Sequence, residues 1–549
     1  MSLDTLRADH LSCYGYPRLT SPHLDRLAGE GTIFKNCIAP HIPTHPGHTT
    51  VLTGVDAFTH QIVAHGGALD LDPKIPLLAE RFKAAGYFTG AADNLGRWFT
   101  RGFDVYQGYR WDTDPTGRSP KGQAVNTAAD TVFARLAGQD RPFFCFLHYW
   151  DVHTPYLPPD PFWGMFYDGD PKDPKNRSLQ AMWDFEPFRW YFHEWMGGVT
   201  DIEFPKSQYD AELAYMDVCL QHMLVMLRAR GLDRDTLILF FADHGEELDE
   251  HQMWFDHHGL YETNIHVPLI LWAPGHVPAG RAFDGPVSHY DIAPTVLEAA
   301  GLDPAGLGLA GRSLWPVLRG EVDGAIGTWG DGLYVTECSW MRKHAWRTRE
   351  WKLILALEPD FHHTPPVELY HLASDPTEQR NLAEARPDVV ERLRTAMMAH
   401  VGGRERETGR PAPVTVQRIT MRRIGDVKMA VPEDQKFVPE GDEAKAEPGR
   451  APGTGAAPKA AGGNKRGGGA GKGKAEPGRA PAKGAAPRAA ASPAAGKGVA
   501  PGAGAGNTRG GGAGKGKAEP GRAPVTGAAP RAGAGNKRGG GATTAGREG

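Results

Sequence analysis

Two nearly unbroken apolar runs, RPFFCFLHYW (141–150) and DTLILFFADHG (235–245), constrain the architecture more than anything else in the chain. A run without alternating polar residues is buried on both faces, which is the place of a central strand in a sheet covered by helices. Each run closes on polar residues: His148, Asp151 and His153 in the first case, Asp243 and His244 in the second. Open α/β sheets bind ligands beyond the carboxyl ends of their strands, so these residues are candidates for one shared site.

Amphipathic segments alternate with the apolar runs, as in an α/β domain. IPLLAERFKAAGY (75–87) and SQYDAELAYMDVCLQHMLVMLRARG (207–231) place apolar residues three and four apart and end near a glycine, predicting helices. APTVLEAAG (293–301) predicts another. Three predicted strands, GLYVTEC (332–338), WRTREWKLILAL (346–357) and VELYHL (367–372), precede a helix around PDVVERLRTAMMAHV (387–401). That order marks a smaller α+β unit. The reading is therefore a catalytic α/β domain over 1–325, a small-sheet subdomain over 326–402, an extension over 403–440 and a tail over 441–549. The aromatic-rich stretch 156–206 reads as a loop insertion over the site.

The tail loses nearly all aromatic and large aliphatic residues and repeats KAEPGRAP at 445–452, 474–481 and 517–524 at irregular intervals. Such a composition cannot bury enough apolar surface to offset chain entropy, so it is predicted disordered. The overall charge of −4 conceals an asymmetry: residues 443–549 carry 19 Lys and Arg against 5 Asp and Glu, leaving 42 against 60 before them. The basic tail suits polyanions in general, but no motif specifies a nucleic acid. Five cysteines, without a CxxC among them, exclude a disulfide scaffold and fit a reducing compartment. With no apolar run of transmembrane length and no signal peptide ahead of the first motif, the expected location is cytoplasmic.

Four separated pieces can supply chemistry: DTLRADH from Asp4, PTHPGHTTVLTG (43–54), the Asp243–His244 pair, and DHHGLYE (256–262). Taken singly, each has an ordinary explanation as turn or loop chemistry. Together, two carboxylates, an imidazole and a hydroxyl oxygen make a site for one divalent metal. Coordination is also what would let the hydroxyl of Thr44 attack as an alkoxide.

The ordered set DTLRADHLSCYGY, THPGHTTVLTG, HYWDVHTPY, ADHGEELDEH, HHGLYETNIHVPLI, HYDIAPTVLEAAG, WRTREWKLI and ELYHLASDPTEQRNLA resembles the sulfatase family of the alkaline phosphatase superfamily over roughly residues 1–400. The resemblance implies a central mixed sheet flanked by helices, a smaller C-terminal sheet, and metal-dependent hydrolysis of a small sulfate or phosphate ester. It also exposes a departure. The family carries C-x-P-x-R-x-x-x-L-T-G, or Ser for Cys, and oxidises that residue to formylglycine. Here the position is Thr44, Pro46 matches, and His48 replaces Arg. Threonine lacks the methylene that such oxidation needs, and CIAPH at Cys37 lacks the following Pro in register, so no formylglycine is expected.

T-x-P-x-H is similar to the nucleotide pyrophosphatase/phosphodiesterase branch. A Thr nucleophile also resembles the membrane-anchored lipoteichoic acid synthases and phosphoethanolamine transferases. The second-zinc D-x-x-x-H of the pyrophosphatases is not found, so one metal is expected. The resemblance assigns Asp4, Asp243 and His244 as its ligands and Thr44 as ligand and nucleophile. Thr5 stands where calcium sulfatases place a second Asp, which favours Mn²⁺ or Zn²⁺ over Ca²⁺. His257 takes the slot of a lysine, His65 that of an asparagine, and His153 matches the histidine that contacts the transferred group. These three are assigned to binding the ester oxygens or protonating the leaving group, and His48 is assigned as a further catalytic residue beside Thr44. His148, His251 and His258 read as structural or surface residues.

A plain alkoxide forms an ester cleaved only by attack at phosphorus or sulfur. This favours a phosphodiester or phosphonate monoester over a sulfate ester. The alternatives are an arylsulfatase-like hydrolase, a phospho-group transferase and an inactive binding homologue. The last draws on the start of the chain three residues before Asp4, where most of the strand that positions this ligand is expected to be missing.

Overall fold

The computed structural model describes residues 1–110, 121–323, 329–421, and the backbone of two short strands at 423–424 and 427–428. The predicted disordered tail, 441–549, lies outside the described residues. Strands follow in chain order as β1 (Ser2–Leu3), β2 (Thr32–Ile38), β3 (His41–Ile42), β4 (Phe88–Ala92), β5 (Val105–Gln107), β6 (Phe143–Tyr149) and β7 (Ile238–Phe241). After them come β8 (His266–Trp272), β9 (Arg281–Ser288), β10 (Leu333–Glu337), β11 (Lys343–Arg347), β12 (Trp351–Ala356) and β13 (Val367–His371).

The large sheet has the order β5-β4-β6-β1-β7-β8-β2-β9. Its first five strands run parallel, β8 is antiparallel to both neighbours, and β2 and β9 are parallel. The two apolar runs of the sequence thus flank β1 at the centre of a mixed sheet. One helix layer holds Pro22–Glu30, Lys121–Ala137 and Glu203–Ala229; a second holds Thr44–Thr53, Leu78–Ala84 and Ile292–Ala299. Side chains fully enclosed between them include Phe34, Phe133, Phe240 and Trp272.

Short as it is, β1 is paired on both sides: Ser2 aligns with His148 of β6 and with Phe241 of β7. The Met1 amine donates to Leu239 O at 2.7 Å, and burial depresses its pKa to about 5. Asp4 N donates to Tyr149 O at 2.8 Å, which fixes the backbone of the first site residue.

The second sheet has the order β13-β12-β11-β10-β3. The expected single strand 346–357 is instead the end of one strand and the whole of the next. The polar Thr348–Glu350 turns the chain, and Thr348 Oγ1 accepts from Trp351 N at 2.9 Å. The insertion also differs from the expected loop. It contains helices Gln180–Asp184 and Glu186–Met196, the second opening on Pro187, which suits a first helical turn. Phe192 and Met196, four apart, are buried by it. Among the described residues, no helix is long and apolar enough to cross a membrane.

The small sheet is fastened to the segment that follows DHHG by buried charges. Lys352, fully enclosed, reaches Glu378 at 2.7 Å and Glu262 at 3.1 Å, while Arg347 holds Glu262 at 2.9 Å. Tyr261 donates to Glu368 at 2.7 Å, and Glu368 pairs with Lys343 at 3.0 Å. Removing one partner of such a cluster leaves uncompensated buried charge at a cost of about 3–5 kcal/mol. Lys352→Met should therefore destabilise the protein by roughly that amount in chemical denaturation, and adding Glu378→Gln to it should recover part of the loss.

Candidate active site

Strands β6, β1 and β7 lie side by side and parallel, so their carboxyl ends deliver residues to one place. Asp4 follows β1, Trp150 to His153 follow β6, and Asp243 and His244 follow β7. Thr44 arrives from elsewhere. The chain leaves β2 in the large sheet, pairs as β3 with β10 of the small sheet, and at once enters the helix Thr44–Thr53. Thr44 is thus the first residue of a helix whose unpaired N–H groups and dipole favour negative charge beside it.

Gly47 makes that helix fit. A Cβ there would sit 2.8 Å from Asp243 O and 3.3 Å from Asp243 Cβ, so only glycine lets the helix lie against the strand end. Thr44 Oγ1 consequently stands 3.2 Å from His244 Nε2. His244 Nδ1 lies 2.9 Å from Gly245 O, which assigns the proton to Nδ1 and leaves the Nε2 lone pair facing Thr44 and the carboxylates. His244 Nε2 is 3.4 Å from Asp243 Oδ2 and 3.8 Å from Asp4 Oδ1.

Asp4, Asp243 and His244 each offer an atom within 4.8 Å of the others, and all three are fully enclosed. Asp4 Oδ1, both oxygens of Asp243 and Thr5 Oγ1 have no hydrogen-bond partner. Burial and the like charge of Asp4 push the Asp243 pKa upward. At Asp4 burial works in the same sense but is outweighed by the His148 hydrogen bond and by the His153 and His244 imidazoles, which hold its pKa down. Orphaned carboxylate oxygens beside an imidazole lone pair are what a divalent cation satisfies, so the donor set fits one.

His148 orients this set. Its Nε2 is 3.0 Å from Asp4 Oδ2 and its Nδ1 is 2.9 Å from Asp93 Oδ1. Burial alone would lower its pKa, but the two carboxylates raise it to about 9, so it donates from both nitrogens. The arrangement occupies one oxygen of Asp4 and leaves the other free to coordinate. The sequence carried no signal for this role, because Asp93 and His148 are 55 residues apart.

A cavity of about 280 Å³ opens over Thr44 and includes His65, His153 and His257 in its lining. His65 stacks on His45 at 4.1 Å, and burial lowers its pKa to about 4. His153 lies 5.2 Å from His257 between ring centres, and His257 lies 4.5 Å from His244. Burial holds both His153 and His257 below the ordinary range, against the upward pull of Asp4 on the first and Asp256 on the second. His153 Nδ1 is 2.7 Å from Thr154 O, leaving Nε2 as the acceptor of the neutral ring.

His48 is placed differently from the other assigned residues. It is fully enclosed below the cavity, with Nδ1 2.8 Å from Thr44 O and Nε2 2.8 Å from Ser2 Oγ. It thus holds the Thr44 backbone and β1 rather than facing the cavity. The walls also include Asp256 of the DHHG piece, Tyr191 of the insertion expected over the site, and two residues the sequence did not single out, Trp150 and Trp340.

This fold and site define a metal-dependent esterase of the alkaline phosphatase type, and comparison with known proteins agrees. Residues 2–302 match the sulfatase family model, and residues 249–401 match that of the N-sulphoglucosamine sulphohydrolase C-terminal region. The chain belongs to the sulfatase family. It is 25% identical to the N-acetylglucosamine-6-O-sulfatase of Bacteroides thetaiotaomicron over 470 residues, covering 70% of this chain and 81% of that protein. It is 26% identical to the choline-sulfatase of Rhizobium meliloti over 424 residues, covering 67% and 78%. Its fold matches the phosphonate monoester hydrolase of Agrobacterium radiobacter with a TM-score of 0.59 at 23% identity, covering 73% of this chain and 95% of that one. The chain is thus a hydrolase of sulfuric or phosphoric ester bonds.

Two predictions follow from the geometry. A divalent metal at 100 times its Kd should stabilise the protein by about 2.7 kcal/mol, read as a thermal shift, and Asp243→Asn should remove that shift. Gly47→Ala should lower turnover by on the order of 100-fold, because it displaces Asp243 from Thr44. Gly29→Ala, whose added methyl meets nothing within 4 Å, should leave turnover unchanged.

Proposed function

We propose that this chain hydrolyses phosphodiesters or phosphonate monoesters through a covalent intermediate on Thr44, without formylglycine. The observation that carries the reading is Thr44 itself: the first residue of a helix, on the cavity floor, its hydroxyl 3.2 Å from His244 Nε2. A divalent cation held by Asp4, Asp243, His244 and the Thr44 oxygen would lower the pKa of that hydroxyl and screen the ester's charge. Mn²⁺ or Zn²⁺ suits a set in which Thr5 stands in place of a further carboxylate.

In the first step the Thr44 hydroxyl gives up its proton to solvent, its oxygen attacks phosphorus, the Thr–O–P bond forms, and the bond to the leaving oxygen breaks. Buried and neutral in the free protein, His153 and His257 gain protons more readily once a monoanionic ester lies beside them. One of them then protonates the departing oxygen. In the second step water attacks phosphorus, a neutral imidazole takes its proton, and the Thr44 oxygen leaves with a proton restored. His65, which lines the same cavity, would contact the ester oxygens. His48 fixes the Thr44 backbone during both steps.

A second reading, hydrolysis of a sulfate ester, is favoured by relatives named as sulfatases. The experiment that separates the two compares 4-nitrophenyl sulfate, phosphate, phosphate diester and phenylphosphonate with Mn²⁺, Zn²⁺ or Ca²⁺ supplied to metal-free protein. Turnover of the diester or phosphonate, reduced at least about 10³-fold in Thr44→Ala, is the expected result. Sulfate turnover alone would overturn the substrate assignment, and undiminished turnover in Thr44→Ala would overturn the nucleophile.

A further inference from the structure

The cavity above Thr44 has two unlike parts. Its floor is built from hydroxyl and imidazole groups that serve the ester. Its wall carries three aromatic side chains, Trp150, Tyr191 and Trp340, together with the carboxylate of Asp256. They converge from four regions of the chain. Trp150 follows β6, Tyr191 comes from the helix Glu186–Met196 of the insertion, Asp256 precedes the DHHG histidines, and Trp340 follows β10. Tyr191 is tied down through its hydroxyl, 3.2 Å from Thr154 Oγ1. Trp340 packs on His258 with ring centres 4.8 Å apart, and its backbone N–H donates to Glu337 Oε1 at 3.2 Å.

Asp256 is held as a carboxylate. Its Oδ1 accepts from His257 N at 2.8 Å, the ring nitrogens of His257 and His258 stand at 3.3 Å and 3.4 Å, and the side chain keeps 9% exposure. Burial alone would raise its pKa, but these imidazoles outweigh burial and hold it well below the ordinary range. Among the described residues that line the cavity, Asp256 is the carboxylate and none is Lys or Arg. An alcohol bearing further sulfate or phosphate groups would be repelled there. A compact cation would meet a carboxylate and aromatic faces, the combination that recognises quaternary ammonium groups.

Resting on the esterase reading above, we propose that this wall is a subsite for the alcohol part of the ester, and that the alcohol is small and carries a quaternary or protonated ammonium. The preferred substrate is then zwitterionic, with its anion over Thr44 and its cation against Trp150, Tyr191, Trp340 and Asp256.

The test uses the full-length, metal-loaded protein and a pair of ligands of equal shape, choline and its uncharged isostere 3,3-dimethylbutanol. Binding is read by tryptophan fluorescence and by inhibition of 4-nitrophenyl ester turnover. Choline should bind on the order of 10-fold more tightly than the isostere. Trp340→Phe should keep most of that preference, and Trp340→Leu should bring it to within about 2-fold, since only the first retains an aromatic face. Equal binding of the two ligands, with 4-nitrophenyl esters still turned over, would overturn the subsite and leave the esterase reading intact. Preferential choline binding without turnover of any ester would support the subsite and overturn the esterase reading instead. A preference unchanged in Trp340→Leu would overturn the assignment of the wall.

Discussion

Two carboxylates enclosed side by side are the constraint on which the rest of this site depends. Asp4 and Asp243 follow adjacent parallel strands, and neither can turn toward solvent because both are fully buried. Placing like charges together in a low-dielectric interior is costly, and protein groups compensate only one side of it. His148, charged between Asp4 and Asp93, neutralises the first carboxylate from behind. Among the described residues Asp243 pairs with His48 and His244 alone, each at 3.4 Å, a distance too long for a good hydrogen bond. The unsatisfied side of the pair therefore faces His244 Nε2 and Thr44. The polypeptide has left its electrostatic deficit where a cation and a nucleophile would meet.

The small sheet supports the same site from a distance. It carries no residue of the Asp–Asp–His set, yet its side chains hold the DHHG segment. Gly259 N donates to Glu337, Tyr261 donates to Glu368, and Glu262 N donates to Glu378. Burying three glutamates for this purpose demands cations of equal burial, which Lys343 and Lys352 supply. The cluster contributes little net stability, since desolvation consumes most of the Coulombic gain. What it fixes is geometry. His257 enters the cavity from a loop that has no sheet of its own to hold it.

Much of this was legible in the sequence because the information is local. A continuous apolar run closing on Asp-His specifies both a central strand and the residues at its end, and Asp243 and His244 stand there. Thr44 was readable from its spacing to Leu52, Thr53 and Gly54. The clamp on Asp4 was not, since Asp93 carries no signal in its own segment and meets His148 only through the order of β4, β6 and β1. The helix that carries Tyr191 was hidden for another reason. Its segment is rich in aromatics, which fit a packed loop as well as a helix, and the helical spacing around Phe192 and Met196 is short. The hairpin at 348–350 escaped because Trp346 to Leu357 reads as one amphipathic strand until Thr348 captures Trp351 N.

Histidines rather than permanent cations surround Thr44, and this sets the charge of the site. By the resemblance to the family, His48 and His257 stand at positions of an arginine and a lysine. His48 has turned inward to bind Ser2 and the Thr44 carbonyl, so it no longer offers charge to an ester at all. His257 lies in the cavity but is kept neutral by burial. Positive charge must then come from the helix end beneath Thr44, from the cation the carboxylates call for, and from protons taken up with the substrate. A site so poor in fixed cations would suit the monoanionic ester of the proposed reaction better than a dianion, because each further negative charge would have to be matched by a proton rather than by a permanent cation.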